Sequence, residues 1–310
     1  MNPVNRPRTA YVGRFAPSPT GPLHAGSLVA ATASFLDARA HHGQWLIRLE
    51  DVDEPRTEPG AADSILATLH AYGFITSQPV MHQSRRTARY EAALNQLRKS
   101  NRAYRCRCSR KQIVATRQTL GLPETPPGSH TPYPGTCRNA GVSATEAHSW
   151  RLNTDGCSIH WTDRWSRQEN SESVGETVGD FILRRRDLLW SYQLAVVVDD
   201  AAQQVTDVVR GDDLADNTAR QCCLQAALGA PRPRYLHVPV LRDLAGNKLS
   251  KQTQAPALPK PASEQQAVAV LNQALSHLEL GQISAGSITG FWSEATARWA
   301  AQFKIIHTES

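Results

Sequence analysis

No stretch of this sequence approaches the ~20 consecutive apolar residues that cross a bilayer. The most apolar run, residues 194–198, is only five residues long. Residues 1–9 likewise carry no apolar segment of the export type. A membrane partner is therefore excluded, and a soluble, monomeric, cytoplasmic protein is expected. Cysteine is scarce as well: six in 310 residues are too few to build a disulfide scaffold. No internal repeat is present. What remains is ordinary globular material, 40% hydrophobic and long enough for one large domain with an insertion or two smaller ones. Its net charge of +6 permits a polyanionic partner without demonstrating one.

Residues 9–15 are β-compatible and run into a segment, 16–22, whose three prolines and one glycine forbid regular structure. Small and apolar residues then recur at helical spacing over 23–40, and 45–49 is β-like, which completes a β-loop-α-β unit. A doubly wound, Rossmann-like parallel sheet of the α/β class begins this way. Helices are expected over 61–72, 85–100 and 217–228, and strands over 149–152, 181–184, 195–198, 205–209 and 235–241. Between 121 and 141 the chain holds five prolines and four glycines, an irregular loop that needs an organiser other than a hydrophobic core. A polar loop, 242–254, precedes a proline-rich hinge, 255–261, and two or three short helices. Trp292 and Trp299 stand at helical spacing there, as packing residues do. This divides the chain into 1–104 and 151–254 as two halves of a catalytic domain, 105–150 as an insertion, and 255–310 as a small C-terminal helical part.

Two short motifs carry chemistry. The loop after the first strand reads Pro22-Leu23-His24-Ala25-Gly26-Ser27, placing an imidazole and a glycine where a helix N-terminus offers N–H groups to phosphate. Far downstream, Lys248-Leu249-Ser250-Lys251-Gln252 puts two ammonium groups three residues apart, able to neutralise a triphosphate under attack. Each alone is weak, since a lone loop histidine or a lysine pair is usually only solvated surface.

Together, in this order, they resemble the two signature sequences of the class I aminoacyl-tRNA synthetases. Residues 14–21, 48–53, 195–200 and 209–213 further resemble segments of glutamyl-tRNA synthetases, and the likeness spans about residues 8–254. The resemblance implies glutamate activation by ATP, with Mg²⁺ accompanying the nucleotide. His24, Gly26 and Lys251 would contact ATP, and His24, Lys248 and Lys251 would serve catalysis. It also implies a glutamate pocket built from Arg14, Phe15, Ala16, Pro17, Ser18, Glu50, Tyr192 and Arg210. The chemistry agrees: an amino acid with two carboxylates needs arginines for its acids and an anion near its ammonium. Taken singly, Glu50 and Arg210 also read as an ordinary ion pair.

Departures narrow the resemblance. Only 58 residues follow Gln252, fewer than the roughly 100–200 that a further domain takes. Residues 185–193 lack the Asp-Gly-x-Pro turn of the long synthetases, and Leu214 stands where they tend to carry His. With the Cys106-Arg107-Cys108 start of an insertion, this is similar to the glutamyl-queuosine tRNA(Asp) synthetases, a paralogous family without an anticodon-binding domain. That likeness implies L-glutamate transfer to the queuosine base in the anticodon of tRNA(Asp). The alternatives are a minimal glutamyl-tRNA synthetase charging a tRNA 3′ end, a small-molecule nucleotidyltransferase and a non-catalytic tRNA-binding paralogue.

Cys106, Cys108 and Cys137 bracket the proline-glycine loop and would close it around one zinc ion per chain if a fourth ligand exists. Ligand chemistry alone nominates His130. The paralogous family implies Tyr133, four residues before the third cysteine. Cys157, Cys222 and Cys223 read as free thiols of the core or surface.

Overall fold

The structure is a computed structural model that describes residues 10–76, 78–126, 130–241 and 256–305. The first strand, β1 (Val12–Phe15), pairs in parallel with β2 (Gln44–Leu49), joined to it by helix α1 (Ala25–Ala40). Helix α2 (Ala61–Ala71) leads to a short β3 (Met81–His82), which pairs with the far edge of β2. After α3 (Thr87–Lys99) the chain leaves this sheet through β4 (Ala103–Cys106) and α4 (Arg110–Thr119). It returns in antiparallel fashion through β5 (Ser149–Leu152), the β6 (Ser158–Thr162) and β7 (Glu169–Ser173) hairpin, a one-turn α5 (Val174–Thr177) and β8 (Ile182–Arg184). Helix α6 (Tyr192–Ala202), β9 (Asp207–Gly211), α7 (Thr218–Leu228) and β10 (Arg234–Val238) resume the parallel pattern, and α8 (Glu264–His277) and α9 (Ile288–Gln302) follow.

The strands β9 and β10 form a parallel pair that lies against β1. The Val12 N–H donates to Thr206 Oγ1, and the Thr206 N–H donates to the Val12 carbonyl, both at 2.9 Å. The order is therefore β3, β2, β1, β9, β10, reversing direction of growth at β1. Ligands of open α/β sheets bind beyond the carboxyl ends of the strands at such a reversal.

Alternation along these strands feeds two cores, as it must when both faces of a sheet are covered. Phe15, Val209 and Leu236 face α1, α2, α8 and α9, whereas Val208 and Tyr235 face α3, α6 and α7. The two C-terminal helices are thus part of the first core. Trp292 and Trp299 are fully enclosed there, and the Trp299 indole donates to Asp37 Oδ1 of α1 at 3.0 Å. Among the described residues no helix is long and apolar enough to cross a membrane.

Two readings of the sequence need correction. Residues 195–198 are helical, not a strand: Ser191 caps α6 by accepting from the Leu194 N–H, and the valines form its buried stripe. A short apolar run cannot distinguish a buried strand from a buried helix. Cys157 and Cys223 are not free thiols but are joined as a disulfide between the residue preceding β6 and the α7 helix, with Cα atoms 6.3 Å apart. Adjacency on α7 sends Cys222 and Cys223 in different directions, and Cys223 meets the hairpin. The β6–β7 hairpin and α4 also went unpredicted, being polar elements with little periodic apolar signal.

Trp299→Ala is expected to lower the unfolding free energy by about 3–5 kcal/mol through cavity formation, read from urea denaturation. A loss below about 1 kcal/mol would mean that α9 is peripheral to the first core.

Candidate active site

The loop 16–24 leaves β1 and is pinned before α1 begins. The Glu50 N–H donates to the Pro17 carbonyl at 3.0 Å and the Glu58 N–H to the Pro19 carbonyl at 2.9 Å, so the loop is clamped to the chain leaving β2. His24 then caps α1: its Nδ1 accepts from the Ser27 N–H at 3.3 Å. In the neutral ring this leaves the proton on Nε2, a donor at the N-terminus of a 16-residue helix.

Beyond the carboxyl ends of β1 and β9 lies a cavity of about 530 Å³. Arg14, Phe15, Ala16, Pro17, Ser18, His24, Gly26, Glu50, Tyr192 and Arg210 all line it, so the residues expected to contact ATP or glutamate within the described chain meet in one place. Lys248 and Lys251 lie outside the described residues. The chain before them lines the cavity at Val240, and the chain after them returns at Ala257, which bridges to His24.

Beneath the cavity floor is a network of buried charges. Asp200 of α6 accepts from Arg14 Nε at 3.1 Å and from Arg48 Nη1 at 2.7 Å, and Arg48 Nη2 donates to Glu50 Oε1 at 3.3 Å. Burial works against the Asp200 carboxylate, yet Arg48 and Arg14 hold its pKa below the usual range. Glu50 goes the other way: burial dominates and raises it despite Arg48 and Arg14. Burial likewise raises the Tyr192 phenol, with Glu50 adding to the effect. Glu50 is therefore the partner of Arg48 and not of Arg210, and among the described residues the simple ion pair between Glu50 and Arg210 is absent.

Arg210, 5% exposed, is held by neutral groups. Its guanidinium donates to His237 Nε2 at 3.1 Å, Gln221 Oε1 at 2.8 Å and Thr218 Oγ1 at 2.9 Å. Accepting from Arg210 leaves the His237 proton on Nδ1, which faces Asp163 Oδ2 at 2.6 Å. Burial pushes the His237 pKa down, which keeps the ring neutral. Among the described residues no carboxylate pairs with Arg210, so a buried cation faces the cavity with its charge uncompensated, a suitable seat for an anion. Sequence reasoning missed Arg48, Asp200, His237 and Asp163. The only available signal was a charged residue embedded in an apolar run, as at Asp199 and Asp200.

The second cluster organises the proline-glycine loop. The sulfur atoms of Cys106, Cys108 and Cys137 lie within 4.8 Å of one another. The Tyr133 hydroxyl sits 3.3 Å from Cys106 Sγ and 3.5 Å from Cys108 Sγ, and it accepts from the Cys137 N–H at 2.9 Å. Ligands at ~2.3 Å from tetrahedral zinc stand about 3.7 Å apart, so these four groups fit one such ion. His130 does not belong to the cluster; its Nε2 lies 3.1 Å from the Val178 carbonyl. Gly179, at φ +69°, lets the Tyr133 strand approach, because a Cβ there would collide with the Tyr133 backbone. Without a cation, burial pushes Cys108 up to about 11 and raises Tyr133 as well; a bound dication would reverse both.

With this geometry in place, comparison with known proteins is informative. Residues 11–265 match the family described as tRNA synthetases class I (E and Q), catalytic domain. A protein of Burkholderia mallei named glutamyl-Q tRNA(Asp) synthetase is 50% identical over 298 residues, covering 95% of this chain and 98% of that protein. One of the same name from Thiobacillus denitrificans is 49% identical over 301 residues, covering 97% and 94%. The crystal structure of glutamate-tRNA synthetase from Elizabethkingia anophelis superposes with a TM-score of 0.67 at 25% identity, covering 79% of this chain and 53% of that one. This chain therefore spans about half the length of that synthetase.

Asp200→Ala leaves two buried guanidiniums without their carboxylate and is expected to cost about 3–5 kcal/mol in urea unfolding at neutral pH. Because the folded-state pKa is depressed, this stabilisation is present above the unfolded value of ~3.9 and is lost as pH falls through the folded value. The wild-type advantage should vanish below that window. An advantage that persists there would show that charge is not its source.

Proposed function

The chain belongs to the class I tRNA synthetase family for glutamate and glutamine, and on that premise we propose that it activates L-glutamate with ATP and transfers it to the queuosine base in the anticodon of tRNA(Asp). The observation that carries the glutamate assignment is the pair of opposite charges in one cavity. Arg210, held among the described residues by neutral groups, suits a substrate carboxylate, and Glu50, with Tyr192 beside it, suits the ammonium. Arg14 and the 15–18 loop complete the pocket. The acceptor assignment rests on the near full-length likeness to proteins named glutamyl-Q tRNA(Asp) synthetase.

In the first step an oxygen of the glutamate α-carboxylate bonds to the α-phosphorus of ATP as the bond to pyrophosphate breaks, giving glutamyl-adenylate. His24 donates from Nε2 to a phosphate oxygen, Gly26 leaves room at the helix N-terminus, and Lys248 and Lys251 offset the charge on the departing pyrophosphate. Mg²⁺ bound with ATP would supply further charge neutralisation. In the second step an acceptor hydroxyl bonds to the adenylate carbonyl carbon and AMP leaves. No covalent nucleophile from the protein takes part. Cys106, Cys108, Tyr133 and Cys137 hold one zinc ion, which organises residues 105–150 between the two halves of the catalytic domain, 1–104 and 151–254, with 255–310 following.

Glutamate-dependent exchange of pyrophosphate into ATP should be measurable, and Lys251→Ala should slow it about 10²-fold. Radiolabelled glutamate should pass to tRNA(Asp) bearing queuosine and stay with the anticodon fragment after nuclease cleavage. Label recovered on the acceptor fragment would instead favour charging of a tRNA 3′ end. Metal analysis should give one zinc per chain, and Cys137→Ser should lower both zinc content and Tm. A metal-free protein of unchanged Tm would remove the zinc site.

A further inference from the structure

Seven described non-glycine residues have positive φ. Five of them, His42, Asn101, Gln204, Glu279 and Lys304, come just after helices, where a left-handed residue ends the last turn. A sixth, Arg167, turns the β6–β7 hairpin. The seventh is Leu188, at φ +70° and 65% exposed, and it is the one apolar residue of the group. A lone exposed leucine is unremarkable on its own, and a strained backbone is too. An apolar side chain held in the solvent by a backbone conformation that disfavours it has no account in folding.

The surrounding turn leaves Leu188 little freedom. The Arg185 N–H donates to the Leu189 carbonyl at 2.8 Å, the Leu188 N–H to the Arg185 carbonyl at 3.1 Å, and Arg184 Nε to the Leu188 carbonyl at 3.1 Å. Trp190, packed on Tyr90, anchors the base of the turn. The turn also spans the two clusters described above. Arg185 approaches Asp53 at 4.0 Å, three residues beyond the cavity-lining Glu50. Arg186 Nη2 donates to the Arg107 carbonyl, between the two thiols, at 2.5 Å. Tyr192 of the cavity follows Leu188 by four residues, so their Cα atoms stand within about 14 Å of each other. Arg184, Arg185, Arg186 and Arg107 outnumber the acids that meet them, Asp53, Asp187 and Glu146.

We infer that Leu188 is an RNA-contacting tip at the mouth of the active site, where it packs on a nucleobase next to the reacting one while the flanking arginines meet phosphates. An apolar tip between cations is the chemistry of side chains that pack on or wedge between bases, and phosphate contacts fix the register. The assignment rests on the proposal that an anticodon loop is the acceptor, and it adds the residue that positions that loop.

Leu188→Gly relieves the backbone and removes the tip, whereas Leu188→Ala removes the tip and keeps the strain. Transfer of glutamate to queuosine-bearing tRNA(Asp) is followed for the wild type and both variants, with Tm and the KM for each substrate. Leu188→Gly should match or exceed the wild-type Tm. Both variants should lose about five- to tenfold in kcat/KM for tRNA, with the KM for ATP and glutamate unchanged. A lowered Tm for Leu188→Gly, an unchanged kcat/KM for tRNA, or an equal rise in the KM for glutamate would overturn the inference. A wild type that transfers nothing to this tRNA would instead sink the acceptor assignment itself.

Discussion

Asp200 is the carboxylate on which the site turns. It sits on α6, yet its two guanidinium partners come from β1 and β2, so one acidic side chain ties the centre of the parallel sheet to the helix that carries Tyr192. Replacing such a buried network with apolar residues is often neutral or favourable for stability. Its presence here is better explained by placement. With Asp200 in position, Arg14 presents its remaining donors to the cavity, and Arg48 stays beneath to hold Glu50. The cavity wall is thus a set of charges whose signs and directions are decided one layer further down.

The same arrangement recurs with different parts at Arg210. There the supporting layer is neutral: Thr218 and Gln221 from α7 and a histidine whose proton is drawn to Asp163. One cation is left with its charge uncompensated and the other cations are matched. The difference between Arg14 and Arg210, side by side on adjacent strands, is one of charge: Arg14 is matched by Asp200, 186 residues away, and Arg210 is held by neutral groups 8 to 27 residues away.

Legibility followed this division. The residues that line the cavity lie in the segments that carry the resemblance: His24, Gly26, Arg14, Glu50, Tyr192 and Arg210 converge there. The residues behind them did not announce themselves. Asp200 is one acid at the end of a valine run, and four apolar residues have no period that would tell a helix from a strand. Asp163 lies in the hairpin, where only the short β6 alternates, at Ile159 and Trp161, and β7 has no apolar residue. Cys157 and Cys223 are 66 residues apart, and only the packing of α7 on the hairpin brings them together. Cys106, Cys108 and Cys137 were legible because a proline-glycine loop with thiols at both ends has few other ways to become ordered. Tyr133 is implied by the resemblance, whereas ligand chemistry alone points to His130, which lies outside the cluster.

The hydrogen bond from Trp299 to Asp37 closes a loop of 262 residues. Asp37 also accepts from Tyr11 and Arg164, so the first helix is secured by partners from the beginning, middle and end of the chain. On the ribosome, α1 emerges with its apolar face uncovered, and α9, which shields it, is made long afterwards. Contacts this distant in sequence slow the search for the native state and lengthen the exposure of unpartnered surface. The β1–α1–β2 unit of the sheet is therefore translated well before α9 but cannot be completed as a folded layer until α9 has been synthesised.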